Sequence, residues 1–339
     1  MDWRSEYKRK LVSADEAVSV VKSGDRIFLS GNGATPFLLI NALAKKGPDL
    51  RDVEINHLLL LGKDPLGTKE FEGHFRHNSQ FVGPADRPAL SEGRGDYVPV
   101  HLSDIPGLFS KRVIPLDVAI LHLSPPDNHG YLSLGVECGA SLAASDSANV
   151  VIAQVNEKMP ITLGDVFIHS SKIDKIVECS ETLAVRPPSV ATDVEKQIAR
   201  NIANLVEDGS TLQLGIGAIP DEVLRLMDGK HDLGIHTEMV SDGVMSCIEK
   251  GIITSRKKTL HPGKVISTFV LGSQELYNYV DNNPQFEIHP CNYTNSISVI
   301  VRNDKMVAIN SAIEVDLSGQ VCSDSIGPRI YSGFGGQVD

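Results

Sequence analysis

The chain has 339 residues, enough for two domains at about 150 residues each. Hydrophobic residues at 41% and charged residues at 22% exclude a disordered, collagenous or coiled-coil chain. A net charge of −11 argues against nucleic acid as a partner and leaves any anionic ligand to backbone N–H groups, helix N-termini or a few placed cations.

The opening segment Met1-Asp2-Trp3-Arg4-Ser5-Glu6 has no apolar core, so no secretory signal is expected. No apolar run reaches the roughly 18 residues of a membrane span, so no membrane association is expected and a cytoplasmic location is. The first structured unit opens at Ser13-Ala14-Asp15-Glu16, an S-x-x-E capping box that predicts a helix through Ala17, Val18 and Val21, closed by Gly24-Asp25. A short apolar strand, Ile27-Phe28-Leu29, leads into Gly31-Asn32-Gly33-Ala34-Thr35-Pro36. A second helical pattern runs through Leu38, Leu39, Ile40 and Leu43, and a strand is expected over Asp52–Leu59.

Apolar strands at Val118–Leu123 and Val150–Val155 follow, separated by the turn-rich Ser124-Pro125-Pro126-Asp127-Asn128-His129-Gly130-Tyr131. The pattern then repeats. Thr192-Asp193-Val194-Glu195 is another capping box, with Ile198, Ile202 and Leu205 at helical spacing and Gly209-Ser210 at the end. The strand Leu212-Gln213-Leu214 leads into Gly215-Ile216-Gly217-Ala218-Ile219-Pro220, then a helix through Val223, Leu224 and Leu226, then a strand-like run over Asp232–Val240. Both copies read helix, turn, strand, G-x-G-A-x-P, helix, strand. The expected fold is therefore α/β, with two similar open domains and largely parallel sheets. A boundary falls near Val185-Arg186-Pro187-Pro188-Ser189, giving units 1–187 and 188–339.

A G-x-G-x-x-P loop between strand and helix offers backbone N–H groups to a phosphate, a carboxylate or an oxyanion. Proline stands where a dinucleotide fingerprint needs its third glycine, which disfavours NAD. For Gly31–Pro36 a plain tight turn is an equal reading; for Gly215–Pro220 a ligand role is favoured because of Glu238. Aligning the copies sets Asp52 against Asp232 and Leu58 against Glu238, so a carboxylate replaces an aliphatic residue beyond a strand whose edge should also carry the loop. His74 and His77 form H-x-x-H without a third ligand, so no metal site is expected. Arg256-Lys257-Lys258 reads as a solvated surface turn. The five widely spaced cysteines, Cys138, Cys179, Cys247, Cys291 and Cys322, read as buried reduced thiols.

The segments SPPDNHGYLSLG at Ser124–Gly135, NEKMPITLG at Asn156–Gly164, QLGIGAIP at Gln213–Pro220, GIHTE at Gly234–Glu238, NSAIEVDL at Asn310–Leu317 and SGFGGQVD at Ser332–Asp339 resemble the acetyl-CoA hydrolase/transferase family. Within it they are most similar to the branch of the 4-hydroxybutyrate and butyryl-CoA:acetate CoA-transferases. The resemblance implies Glu238 as nucleophile and a coenzyme A site built from Gly215, Ile216, Gly217, Ala218, Ile219, Asn310, Ile313, Gly335 and Gly336. It extends to Gly31, Asn32, Gly33 and Gln213 around the acyl group. The implied reaction is a ping-pong exchange of coenzyme A between a short-chain acyl-CoA and a carboxylic acid (4-hydroxybutyrate or butyrate with acetate) through a glutamyl-CoA thioester. Hydrolysis of acyl-CoA by the same glutamate, or acyl-CoA binding without turnover, are the alternatives. The implied cofactor list is empty, with coenzyme A entering only as substrate, and a homo-oligomer is implied. The resemblance also leads to the expectation that the second domain continues beyond Asp339.

Overall fold

The computed structural model describes residues 2–187 and 189–339, and the expected boundary at 187/188 falls on Pro188, outside the described residues. The first unit is built on a seven-stranded sheet in which every neighbouring pair is parallel. Its order is Gly95–Tyr97, Phe75–Phe81, Val53–Leu58, Arg26–Leu29, Val118–Leu123, Val150–Asn156 and Lys175–Cys179. All six residues of Val118–Leu123 are buried, which is why this strand reads as a continuous apolar run rather than an alternation: helices and loops cover both faces. One apolar cluster lies on the face carrying Ile27, Leu29, Leu39, Leu43 and Ile55. A second, larger one runs from Phe28, Leu121 and Leu134 into the rest of the chain through Leu212, Ile235 and Val270. The two units thus share a core, and the strand ends of both face one cleft.

The internal repeat holds in three dimensions at the level of register. Arg26 pairs with Glu54 in the first unit and Thr211 with Gly234 in the second, the same step of the aligned copies. The Gly24 N–H bonds the Arg51 carbonyl at 2.9 Å, and the equivalent Gly209 N–H bonds that of His231 at 3.0 Å. Asp52 and Asp232 both adopt the left-handed conformation, with φ of 56° and 54°, which Asp tolerates better than most residues. The matched turn is therefore a shared backbone device.

The likeness then stops. In the second unit Thr211–Leu214 lies between Gly234–Ile235 and Met306–Ile309 in a three-stranded parallel sheet, and the expected strand over Asp232–Val240 is broken. Its first part pairs with Thr211–Leu212. His236 then bridges to Ile266, and Met239–Val240 pairs with Phe269–Val270. The chain changes partner at Thr237-Glu238, which frees that dipeptide from any ladder.

Other expectations shift in detail. The first capping box is half made: Ser13 Oγ accepts the Glu16 N–H at 3.2 Å, but the helix covers only Ala14–Val18 and Val21 lies beyond it, because Ser19 Oγ takes the Glu16 carbonyl. The Thr192–Glu195 box is complete and starts the helix Asp193–Leu205. Pro36 caps the helix Phe37–Lys46 from outside, whereas Pro220 lies inside the first turn of Ala218–Arg225. Lys258 is no surface residue. It is 4% exposed, donates to the carbonyls of Ile235 and Lys264 at 2.7 and 2.9 Å, and burial pulls its ammonium down to about 7. Cys179 and Cys322 are half-buried rather than buried, and all five thiols are free. No helix among the described residues is long and apolar enough to cross a membrane.

Candidate active site

Glu238 owes its position to the change of partner. Its main-chain carbonyl accepts the N–H groups of Thr268 and Phe269 at 2.9 and 2.8 Å and the Ser267 hydroxyl at 2.9 Å. On the preceding residue, Thr237 Oγ1 accepts the Leu214 N–H at 2.9 Å and donates to the Leu214 carbonyl at 3.1 Å. One residue earlier, His236 Nε2 faces the Thr294 carbonyl at 2.8 Å, and burial holds the imidazole down to about 4, so it is neutral near pH 7 and Nε2 carries the proton. With its backbone fixed on both sides, Glu238 directs its carboxylate into a cleft of about 170 Å³.

Glu238 is 7% exposed and has no cation partner among the described residues. Two amides hold it instead. Gln213 Nε2 donates to Oε2 at 2.9 Å, and Asn295 Nδ2 donates to Oε1 at 2.7 Å. Gln213 is itself pinned, because the parallel register of Thr211–Leu214 with Met306–Ile309 brings Asn310 alongside it. Asn310 Nδ2 donates to Gln213 Oε1 at 2.9 Å and Gln213 Nε2 donates to Asn310 Oδ1 at 3.1 Å. Neutral donors stabilise the charge without fixing a positive group against the attacking oxygens.

The glycine loops frame this carboxylate by close approach. A methyl group on Gly336 would overlap Glu238 Oε1 and Asn295 Nδ2, so the backbone of Gly336 lies directly on the carboxylate. Gly335, with φ of 62°, turns the chain against Phe81. A side chain on Gly215 would come within 2.7 Å of Asn310 Oδ1. In the first unit, a Cβ on Gly31 would strike the Leu58 carbonyl and one on Gly33 would come within 2.7 Å of the Tyr277 hydroxyl. These two glycines let the loop sink against its neighbours and leave Asn32 between them facing the cleft.

Of the residues singled out from sequence, Glu238, Gln213, Gly215, Ile216, Asn310, Gly335, Gly336 and Asn32 line this single cleft. Gly31, Gly33, Gly217, Ala218, Ile219 and Ile313 do not. Gly217 caps the helix Ala218–Arg225 with φ of 147°, and Ile219 packs toward the core. Ile313 bonds to the Cys322 carbonyl at 2.8 Å at the start of an antiparallel hairpin. His77 is buried and contacts His57 at 3.0 Å and Asp64 at 2.8 Å, whereas His74 faces the carbonyls of Gly47 and Leu50.

Sequence reading missed Asn295, Phe81 and Phe269. Phe81 and Phe269 line the cleft and Asn295 reaches the Glu238 carboxylate, each from a segment with no motif of its own, and only the fold shows their proximity. It also missed that Leu58, aligned with Glu238 in the repeat, lines the same cleft from the opposite side. Glu238 is the one ionisable side chain among the described residues lining it. A single buried carboxylate beside backbone and amide donors can attack an activated carbonyl and form an acyl-enzyme, and a carboxylate nucleophile needs no partner base to remove a proton.

Comparison with known proteins adds the following. The model of the acetyl-CoA hydrolase/transferase N-terminal domain matches residues 1–187, and that of the C-terminal domain matches residues 272–339. The chain is 48% identical over 339 residues to a 4-hydroxybutyrate coenzyme A transferase of Clostridium kluyveri, covering 100% of this chain and 79% of that protein. It is 46% identical over 330 residues to a succinyl-CoA:acetate/propanoyl-CoA:succinate CoA transferase of Fasciola hepatica, covering 96% and 69%. Among solved structures it is similar to RipA from Yersinia pestis, with TM-score 0.91 and 33% identity over 96% of this chain and 78% of that one. It is also similar to a 4-hydroxybutyrate CoA-transferase from Porphyromonas gingivalis, with TM-score 0.85 and 41% identity over 94% and 77%.

Proposed function

The chain belongs to the acetyl-CoA hydrolase/transferase family, and on that premise we propose that it moves coenzyme A between a short-chain acyl-CoA and a carboxylic acid through a glutamyl-CoA thioester on Glu238. The observation that carries this reading is the lone buried carboxylate, held by Gln213 and Asn295 and overlaid by the Gly336 backbone.

In the first step Glu238 attacks the thioester carbonyl, the C–S bond breaks, and a mixed anhydride and coenzyme A thiolate result. The thiolate attacks the glutamyl carbonyl of the anhydride and expels the first acid as its carboxylate. The acceptor carboxylate then attacks the glutamyl thioester, releasing the thiolate again. Attack of that thiolate on the new acyl carbonyl gives the new acyl-CoA and restores Glu238. Backbone N–H groups around Gly335 and Gly336 suit the oxyanion formed at each attack, and one such donor is worth roughly 3–4 kcal/mol. Gly215, Ile216 and Asn310, which line the cleft, are assigned to the pantetheine side, where remote binding energy drives the chemistry. The anhydride reacts with water, so burial of Glu238 at 7% exposure favours transfer over hydrolysis. The acyl and acceptor groups proposed are butyrate or 4-hydroxybutyrate with acetate, in a cytoplasmic homo-oligomer whose chain divides into units 1–187 and 188–339.

The test is to follow free coenzyme A and new acyl-CoA with and without acetate. Transfer should dominate and coenzyme A release should stay slow until acetate is added. Release at the same rate without acetate would make the protein a hydrolase; saturable acyl-CoA binding with no turnover would make it a binding protein.

A further inference from the structure

The backbone that lies on the Glu238 carboxylate belongs to no regular element: residues 333–336 are in neither helix nor strand. A segment without a hydrogen-bond ladder takes its place from the contacts that hold its ends. Here both ends are tied to the first unit. Upstream, the Arg87 guanidinium lies over the Tyr331 ring, 3.8 Å from its centroid, and Arg87 Nε donates to the Tyr331 carbonyl at 2.5 Å. Downstream, Asp339 Oδ1 accepts the Ser103 hydroxyl at 2.6 Å. Between them Phe334 meets the His101 ring edge-on, with centroids 6.0 Å apart, and a Cβ on Gly333 would come within 3.0 Å of Phe81.

Arg87 starts from a rigid base. The strand Phe75–Phe81 runs into a tight turn in which buried Asp86 accepts the Gly83 N–H at 2.7 Å, and the Arg87 N–H bonds the Gly83 carbonyl at 3.1 Å. Pro88 in the first turn of the helix Arg87–Ser91 sets its opening dihedral. The residue type also fits the task. A planar guanidinium can stack on a ring face and still present an N–H to a carbonyl at its edge, which a lysine ammonium cannot do from one position.

We propose that Arg87 is a positioning residue of the transfer reaction: from the first unit it clamps Tyr331 and so holds the Gly335–Gly336 backbone on the Glu238 carboxylate. The proposal rests on the transferase reading of the same cleft and adds to it a residue that does not line the cleft. Loosening this clamp displaces the donors that meet the oxyanion and leaves the Gly215 loop, on the pantetheine side, in place. The loss therefore falls on kcat more than on KM.

The experiment measures kcat and KM for transfer to acetate from butyryl-CoA and 4-hydroxybutyryl-CoA, well below Tm, in the full chain and in Arg87→Ala, Arg87→Lys, Gly336→Ala and Arg87→Ala/Gly336→Ala. Arg87→Ala should lower kcat about tenfold and leave the acyl-CoA KM within about threefold. Arg87→Lys, which keeps a cation for the ring but loses the planar fork, should fall between Arg87→Ala and wild type. Because Arg87 acts through Gly336, the double variant should stay within about threefold of Gly336→Ala alone, whereas independent effects would multiply. A kcat for Arg87→Ala within about twofold of wild type, a loss confined to KM, or effects that multiply would overturn the proposal and leave the transferase reading intact. If Arg87→Ala does not fold, Arg87→Lys, alone and combined with Gly336→Ala, decides by the same comparison. Absence of transfer from both donors in the wild-type protein would overturn the transferase reading and this proposal with it.

Discussion

Replacing Gly336 by Ala tests how tightly the site is built. Gly336 does not adopt a positive φ, so alanine fits its backbone and no general loss of stability is expected. The added methyl would overlap Glu238 Oε1 and Asn295 Nδ2, so one of them has to move. Either movement breaks the 2.7 Å bond between them, and displacement of the carboxylate also strains the 2.9 Å bond from Gln213. Hydrogen bonds to a charged group contribute about 1.5–3 kcal/mol each. Loss of both removes at least ~3 kcal/mol of positioning, equivalent to a fall of about 10²-fold in kcat/KM. Steady-state transfer assays read the rate, and thermal unfolding checks that Tm stays within a few degrees of the wild-type value. Transfer within about threefold of wild type at an unchanged Tm would show that the carboxylate does not need this geometry.

Asn295→Ala removes the donor to Oε1 and should lower the rate of the first half-reaction by about 10- to 100-fold, as single-turnover kinetics would read; Asn295→Asp, which sets a like charge beside Glu238, should be slower still. Equal rates for the two variants would contradict the electrostatic part of the argument. Glu137 is 2% exposed, accepts the Ser141 hydroxyl at 2.7 Å and the Gly31 N–H, and burial raises its carboxyl to about 7 from an ordinary 4.5. A raised carboxyl adds stability that is fully present below pH 4.5 and is lost as pH rises through 7, about 3 kcal/mol in all. Glu137→Gln should therefore lose that slope, so that denaturant melts at pH 5 and pH 8 differ less than in wild type; an identical pH dependence would show that Glu137 ionises freely in its buried position.

What could be read from the sequence was local or repeated. The Thr192–Glu195 capping box, the strands through Val118–Leu123 and Val150–Asn156, and the aligned turns at Asp52 and Asp232 each leave a pattern within a few residues. Glu238 could be found because the repeat supplied its own control, an aliphatic Leu58 at the matching step. The break in the strand over Asp232–Val240 could not, because it depends on the partners Ile266 and Phe269, more than 25 residues on. Burial of Lys258 was hidden for a similar reason. Its neighbours in sequence are charged and exposed, while the carbonyls that hold it belong to Ile235 and Lys264. Asn295 and Phe81 carry no local sign of their role, since the cleft assembles them from different strands and loops. The G-x-G loops were legible as loops, but their uses differ. Gly31 and Gly33 serve packing around Asn32, whereas Gly215 makes room for Asn310 beside the nucleophile's amide partner.

The central claim is a covalent bond between coenzyme A and Glu238. Incubation with butyryl-CoA without an acceptor, followed by digestion and mass spectrometry, should find coenzyme A in thioester linkage on the peptide that contains Glu238. The adduct should be removed by acetate or hydroxylamine and be absent from Glu238→Ala. A coenzyme A adduct on another residue, or full transfer activity in Glu238→Ala, would contradict the account.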